Sequence, residues 1–169
     1  MIEPLFRLKA INQIGFVVED IDKAMEDYWM YFGIGPWKVY NFGSPVVKDT
    51  KFRGKPEDFH MTIAIAKVGE LDFELIEHKD GDTIYKEFMA RNPIGGVHHL
   101  AWFVKNIDEA VREMEQLGFK VIQSGRGYGK NGDGGFAYLS TEDELGALFE
   151  LLEVPSERIP PHRVYPAKE

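Results

Sequence analysis

Gln13-Ile-Gly-Phe-Val-Val-Glu-Asp-Ile-Asp-Lys-Ala-Met25 is answered 86 residues later, without a gap, by His99-Leu-Ala-Trp-Phe-Val-Lys-Asn-Ile-Asp-Glu-Ala-Val111. A second pair keeps the same order: Leu71-Asp-Phe-Glu-Leu-Ile-Glu77 returns as Ala147-Leu-Phe-Glu-Leu-Leu-Glu153 at an offset of 76. Self-similarity of this kind marks a unit built twice, with the difference in offset absorbed by a loop. Two copies, about 10–78 and 96–154, are joined by a linker helix segment at 79–95. A tail at 155–169, carrying four prolines, reads as extended.

Outward from the quoted stretch, residues 11–18 alternate as a strand does, and Ile21, Met25, Tyr28 and Phe32 then recur at helical spacing. Asp20 stands where a helix N-cap belongs and Gly33 lies just beyond the helix end. A strand over 36–42 follows, then a Pro-, Gly- and Lys-rich stretch at 43–58 that reads as a long loop, then strands at 59–67 and 71–77 turning at Gly69. The second copy repeats the order, with a strand at 96–104, a helix at 107–117 stopped by Gly118, and strands near 119–124, 134–140 and 147–153. Residues 82–91 predict a helix in the linker. The fold class is therefore α+β, two tandem βαβββ modules in one domain of 169 residues.

Parity sorts the two faces of a strand. Ile14, Phe16 and Val18 share the face that packs on helices, while Gln13, Gly15 and Val17 take the other. The repeat puts His98, Leu100, Trp102 and Val104 on the helix side and His99, Ala101 and Phe103 opposite. In the closing strands Phe73, Leu75, Phe149 and Leu151 belong to the helix side, and Glu74 and Glu150 point the other way. An ionised carboxylate in an apolar strand is costly unless its charge is compensated, and one at the same place in both copies asks for a shared partner. Gln13, Glu74, His99 and Glu150 supply three oxygens and one imidazole nitrogen, a set suited to a divalent ion such as Co, Mn, Ni, Zn or Fe with positions left open.

Composition excludes other classes. A content of 44% hydrophobic and 13% aromatic residues suffices for a core and excludes a disordered chain. Twenty basic against 28 acidic residues leave a formal charge of -8 with the acids scattered, so no nucleic acid is expected as partner. The absence of cysteine removes disulfides, thiolate nucleophiles and iron–sulfur clusters, and fits a reducing compartment. No segment, the start at 1–20 included, reaches the roughly 18 apolar residues that span a bilayer. The expectation is a soluble cytoplasmic protein with no membrane partner.

The paired modules, opened by QIGFVV at 13–18 and HHLAWFV at 98–104 and closed by FELIE at 73–77 and FELLE at 149–153, resemble the vicinal oxygen chelate superfamily. That group takes in glyoxalase I, bleomycin-resistance proteins, methylmalonyl-CoA epimerase and extradiol dioxygenases, and the resemblance covers almost the whole chain. It implies that each module curls into an open half-barrel and that Gln13, Glu74, His99 and Glu150 hold one divalent metal in the shared cleft. It implies also that substrate oxygens bind the metal, whose charge stabilises the enolate left when a carbon next to a carbonyl loses its proton. GGVHHLAW at 95–102, with the helix starts DIDKAM at 20–25 and NIDEAV at 106–111, is most similar to methylmalonyl-CoA epimerase. The implied protein is a metal-dependent isomerase or epimerase for an acyl-CoA or keto-acid substrate, working as a homodimer.

Inversion at carbon needs an acid–base group on each face. Glu150 is one candidate, as a carboxylate that leaves the metal to take the proton. For the other, the family carries a carboxylate on the third strand of the first module. Here parity puts His60, Thr62, Ala64 and Ala66 on the cleft face against Met61, Ile63 and Ile65 in the core, which makes His60 the candidate ahead of Glu57. The ligand order Gln, Glu, His, Glu is that of glyoxalase I, so a glyoxalase-like lyase is the alternative, although the arginine that holds glutathione in those enzymes is Val17 here. An extradiol dioxygenase, whose three-ligand iron set has no place for Glu74, and a metal-free drug-binding protein rank below. The Gly-rich run at 125–135 matches no phosphate-binding loop and reads as a hairpin turn, with Arg126 and Lys130 at the rim to meet a substrate carboxylate or CoA phosphate. Tyr138, read as the repeat counterpart of Thr62, is placed to donate a hydrogen bond into the cleft.

Overall fold

Each quoted repeat folds as a strand running into a capped helix. β1 (Gln13–Val17) leads to α1 (Ile21–Phe32), where the Asp20 carboxylate accepts from the Asp22 and Lys23 amides. β7 (Gly96–Phe103) leads to α3 (Ile107–Gln116), where Asn106 does the same for Asp108 and Glu109. Both helices are tied again from across the sheet: Glu77 Oε2 accepts from the Ile21 amide at 3.4 Å, and Glu153 Oε2 from the Ile107 amide at 2.8 Å. Three-residue spacing puts the two glutamates of each closing motif on opposite faces of their strand, so Glu77 and Glu153 hold helices while Glu74 and Glu150 face the other way.

The first module continues as β2 (Trp37–Phe42), β5 (His60–Val68) and β6 (Leu71–Asp80), the second as β8 (Val121–Tyr128), β9 (Gly134–Leu139) and β10 (Phe149–Glu153), with α2 (Ile84–Arg91) between them. This computed structural model describes residues 7–167. Residues 1–6, within the start read for a membrane span, and residues 168–169, the end of the tail, lie outside the described residues. Among those described, no helix is long and apolar enough to cross a membrane. β1 and β7 pair antiparallel at the centre of the sheet, and each is flanked in parallel by its own module's closing strand, β6 beside β1 and β10 beside β7. On the helix face, Ile21 and Met25 pack on Trp37, Ala64, Ala66 and Leu75, and Ile107, Ala110 and Met114 pack on Trp102, Ala137, Leu139 and Leu151. The opposite face curls on itself until the Phe42 ring of β2 meets the Tyr128 ring of β8 edge-on at 5.0 Å.

Two stretches depart from the expectation. Residues 43–58 are not a long loop: β3 (Lys48–Phe52) and β4 (Lys55–Pro56) form a hairpin, and β3 pairs with β8 of the second module. The tail contributes β11 (Arg163–Tyr165), which pairs with β2 of the first module. The sheet order among the described residues is β11-β2-β5-β6-β1-β7-β10-β9-β8-β3-β4. Each module's outer strand is thus covered by a strand that follows or interrupts the other module's chain, which satisfies an otherwise open edge. In Lys48-Asp-Thr-Lys-Phe52 only Thr50 and Phe52 are partly buried, Phe52 against the core, so the strand carries no apolar alternation for periodicity to find. A single turn, α4 (Glu142–Leu145), lengthens the connection into β10 relative to the tight turn at Gly69.

Candidate functional site

The four central strands, β6, β1, β7 and β10, bring Glu74, Gln13, His99 and Glu150 together, and all four side chains are buried. Gln13, Glu74 and Glu150 form the floor of a cavity of about 720 Å3, open mouth included, with His99 buried behind them. Gly15 is what lets them meet. It pairs with His99 across β1 and β7, and a Cβ at Gly15 would collide with the imidazole, so the ring occupies the space that the missing side chain leaves.

His99 Nε2 stands 3.1 Å from Glu150 Oε2 and 3.6 Å from Glu74 Oε2. Neither contact has hydrogen-bond alignment: His99 Nε2, Glu150 Oε2 and Gln13 Oε1 are all buried without a partner. Burial holds the imidazole down to about 3, so it is neutral. Burial pushes Glu150 up to about 8, against the opposing effect of a hydrogen bond with Tyr138. Glu74 is also raised well above the carboxylate range, by burial first and then by Glu150 and Asp72, while a hydrogen bond with Gln13 works the other way. Burial favours the uncharged form of all three groups, so charge attraction is not what holds them together. They are a cluster with its lone pairs turned inward.

His98 explains which nitrogen of His99 is bare. The β1–β7 pairing slips between Gly15 and Phe16, leaving His98 as the extra residue of a bulge. The sequence reading put His98 on the α3 side; the bulge turns it instead toward α2, where its ring meets Tyr85 at 5.3 Å and Phe88 at 5.1 Å. Its Nδ1 lies 3.0 Å from His99 Nδ1, and the ring also donates to the Ile84 carbonyl. Burial keeps His98 neutral, so with its one proton given to Ile84 it accepts at Nδ1. His99 therefore donates through Nδ1 and presents an unprotonated Nε2 to the two carboxyls.

This set fits a divalent cation. It offers three partnerless buried atoms of ligand type, a carboxyl beside them, and a tautomer of His99 with its lone pair directed inward. Among the described residues no three His, Asp or Glu side chains stand apart at ligand spacing. The imidazole lies against both carboxyls, so these residues would have to part and the carboxyls give up any proton they carry to hold an ion.

Other predicted residues fare differently. Tyr138 lines the cavity, with its ring 5.0 Å from that of His99 and its hydroxyl accepting from the Tyr85 hydroxyl at 2.9 Å. Its repeat counterpart is Ile65, not Thr62: Tyr138 pairs with Glu150 as Ile65 pairs with Glu74, and α4 accounts for the shift. His60 does not reach the site. It sits half-buried at the start of β5, Nε2 3.3 Å from the Ser44 carbonyl, and it is absent from the cavity wall. The parity of β5 is the reverse of that expected. Met61, Ile63 and Ile65 line the cavity, and Ala64 and Ala66 pack under α1, because the helix needs the small side chains to approach while the cavity itself is apolar. Glu57 is engaged with the Asp82 amide at 3.1 Å. Arg126 is not at the rim: β8 extends to Tyr128, and its guanidinium turns to the helix side, donating to Asp108 and to the carbonyls of Gly125 and Phe136. Val17 is fully buried among Ile76, Ile84 and Tyr85, so no cation stands at the glutathione position of glyoxalase I.

Sequence reasoning missed Tyr40, Tyr85 and Arg158, all on the cavity wall. A signal existed for Arg158: the alternation Glu150, Leu152, Val154, carried into the tail, has its parity.

The chain is similar to several known proteins. Bovine (Bos taurus) mitochondrial methylmalonyl-CoA epimerase is 25% identical over 149 residues, 88% of this chain and 76% of that protein. The ethylmalonyl-CoA/methylmalonyl-CoA epimerase of Cereibacter sphaeroides is 25% identical over 148 residues, 85% of this chain and 97% of its own. A solved Streptomyces coelicolor methylmalonyl-CoA epimerase variant, in complex with 2-nitronate-propionyl-CoA, has the same fold at a TM-score of 0.62, with 21% identity over 91% of this chain and 100% of that one. The sequence pattern of the Glyoxalase/Bleomycin resistance protein/Dioxygenase superfamily matches residues 12–138, and with the paired modules and central four-residue cluster now described, the chain belongs to that superfamily.

Proposed function

We propose that this protein is a metal-dependent isomerase or epimerase that removes a proton from a carbon next to a carbonyl, with Gln13, Glu74, His99 and Glu150 holding the ion and Glu150 moving the proton. One observation carries the reading: the four side chains converge from adjacent central strands, with Gln13, Glu74 and Glu150 on the floor of an apolar cavity, His99 behind them, and partnerless buried ligand atoms on Gln13, His99 and Glu150. A bound divalent ion would supply positive charge for substrate oxygens and for the negative charge that deprotonation leaves on them.

The chain's own residues do the rest. Glu150, in dry surroundings, binds a proton more tightly than an exposed carboxylate, as a base for a weak carbon acid must. Tyr138, itself held by Tyr85, fixes the Glu150 carboxyl from the adjacent strand. Met61, Ile63, Ile65 and Phe136 exclude water. The first module's part of the cavity wall carries Met61, Ile63, Ile65, Phe42 and Tyr40, of which Tyr40 has the one hydroxyl, so we assign Tyr40 to hand a proton to the second face if the reaction inverts carbon. Likeness to methylmalonyl-CoA epimerases supports an acyl-CoA substrate, and the same site chemistry suits a keto acid. A homodimer belongs to the same reading, supported by the exposed apolar end of α1 at Met30, Tyr31 and Phe32.

The test is to strip the protein with chelator, reload it with manganese or cobalt, and incubate it in deuterated water with methylmalonyl-CoA, then with other 2-substituted acyl-CoA thioesters and 2-keto acids. Metal-dependent deuterium next to the carbonyl is expected, and its stereochemistry separates epimerase from isomerase. Metal-dependent oxygen uptake with a catechol would select the dioxygenase instead, and drug binding without exchange or metal the binding protein.

A further inference from the structure

The polar floor is one end of the cavity; the mouth is built by a different part of the chain. After β10 the segment 154–159 lays Val154, Pro155, Arg158 and Ile159 along the cavity before β11 joins β2. The Gly-rich β8–β9 turn fastens this segment. The Lys130 amide donates to the Glu157 carbonyl at 2.9 Å, the Lys130 ammonium pairs with the Glu157 carboxylate, Asn131 Nδ2 donates to Ser156 Oγ at 3.0 Å, and Asp133 accepts from the Ser156 amide at 3.1 Å. Gly129 lies flat on Pro155, where a Cβ would collide. Gly129 thus serves the tail, while Gly125, Gly134 and Gly135 leave room for the Phe136, Tyr128 and Arg126 side chains.

Arg158 is the one cationic side chain on the cavity wall among the described residues. Its carboxylate neighbour Asp72 is 3.7 Å from Nη2, beyond hydrogen-bond reach, while the short contact of Asp72 is with Lys67 at 2.6 Å. The Arg158 side chain is 41% exposed, so the guanidinium keeps its fork of donors available at the mouth. Asp72 lies two residues before Glu74 on the same face of β6, so the guanidinium stands on the side of the mouth from which Glu74 is reached. A planar fork of this kind matches a carboxylate in two parallel hydrogen bonds.

We propose that Arg158 is the anion-recognising residue of this pocket and that its ligand is a carboxylic acid with an apolar body, the carboxylate on Arg158 and the body against Phe42, Ile63, Ile65 and Leu152. This deepens the functional reading above and rests on it only in taking the cavity as the substrate site, not on the metal or the proton transfer. A phosphate of a coenzyme A thioester shares the charge but sits far from the reacting oxygens, and the test separates the two sources.

Metal-free full-length protein is titrated calorimetrically with 3-phenylpropionate, with its uncharged counterpart 3-phenylpropanamide, and with coenzyme A. The unmodified protein is expected to bind the acid about tenfold more tightly than the amide, as a charge-assisted pair gives. R158M is expected to erase that preference by weakening the acid alone, and R158K to retain part of it. Asp72 keeps Lys67 in either variant, and a thermal melt verifies the fold. Equal affinity for acid and amide in the unmodified protein, a preference that survives R158M, or no binding of the acid at millimolar concentration each overturns the proposal. Coenzyme A affinity that collapses in R158M while the acid is unaffected assigns the charge to phosphate and overturns the carboxylate. Loss of deuterium exchange bears on the catalytic reading and leaves this binding result untouched.

Discussion

The two halves share a skeleton and divide the chemistry unequally. Each has a strand, a capped helix and a closing strand whose first glutamate faces the cavity and whose second holds the helix. Yet the first half contributes an amide, Gln13, a carboxyl, Glu74, and an aliphatic wall, whereas the second contributes the imidazole of His99, the Glu150 carboxyl with Tyr138 behind it, and the tail with Arg158. Repetition makes a symmetric set of donors. Inversion of carbon needs opposed roles, one group taking a proton and the other giving one, and in the proposed reading the unequal halves supply Glu150 for the first and Tyr40 for the second.

Breaking that asymmetry at its centre gives the largest expected effect. Glu150→Gln should lower metal-dependent deuterium exchange on the order of 10²–10⁴-fold, the usual worth of a positioned base. Glu74→Gln, the same change in the other half, should act mainly on the ion, lowering its affinity about 10–100-fold and recovering most exchange at saturating metal. Equal loss in both variants, irreversible by added metal, would remove the division of labour between the halves.

The next effect concerns Gly15 and its repeat counterpart Ala101. Making the halves alike by Gly15→Ala should evict the His99 ring, lower metal content measured by plasma emission, and cost about 1–3 kcal/mol in a denaturant melt through overpacking. The reciprocal Ala101→Gly trims a buried methyl, should cost about 1 kcal/mol, and should leave metal content unchanged.

The pH dependence of the metal-free protein follows from the same pair of groups. His99 is lowered in the folded state, so the unfolded chain holds the extra proton and stability rises as pH climbs from about 3 to 6.5. Glu150 is raised, so the folded state holds the extra proton and stability falls as pH climbs from about 4.5 to about 8. The two oppose each other up to pH 6.5, above which only the loss remains. Metal-free protein should therefore melt lower at pH 8 than at pH 6.5, by on the order of 2 kcal/mol, and saturating manganese should abolish or reverse the difference. A flat profile between those values would show that Glu150 is ionised without metal.

The smallest effect compares the two helix ties. Glu153→Gln should cost about 1 kcal/mol and Glu77→Gln a few tenths, in the order of their 2.8 Å and 3.4 Å contacts, both read as shifts in melting temperature.

Much of this was legible in the chain, and the reason is physical. The repeat, the cap at Asp20, and the placing of Gln13, Glu74, His99 and Glu150 on one face all follow from period-2 alternation and local capping, which depend on near neighbours in sequence. What failed was each inference that assumed which of two apolar faces was the core. On β5 both faces are apolar, so parity could not tell that Met61, Ile63 and Ile65 line a cavity and that Ala64 and Ala66 meet a helix, and His60 was misplaced with them. The bulge that turns His98 to α2, the pairing of β3 with β8, and the strap that carries Arg158 to the mouth are contacts between residues far apart in the chain. Local pattern determined that four donors share one face; only the closing of the sheet decided that they touch, what walls them in, and that one arginine waits at the opening.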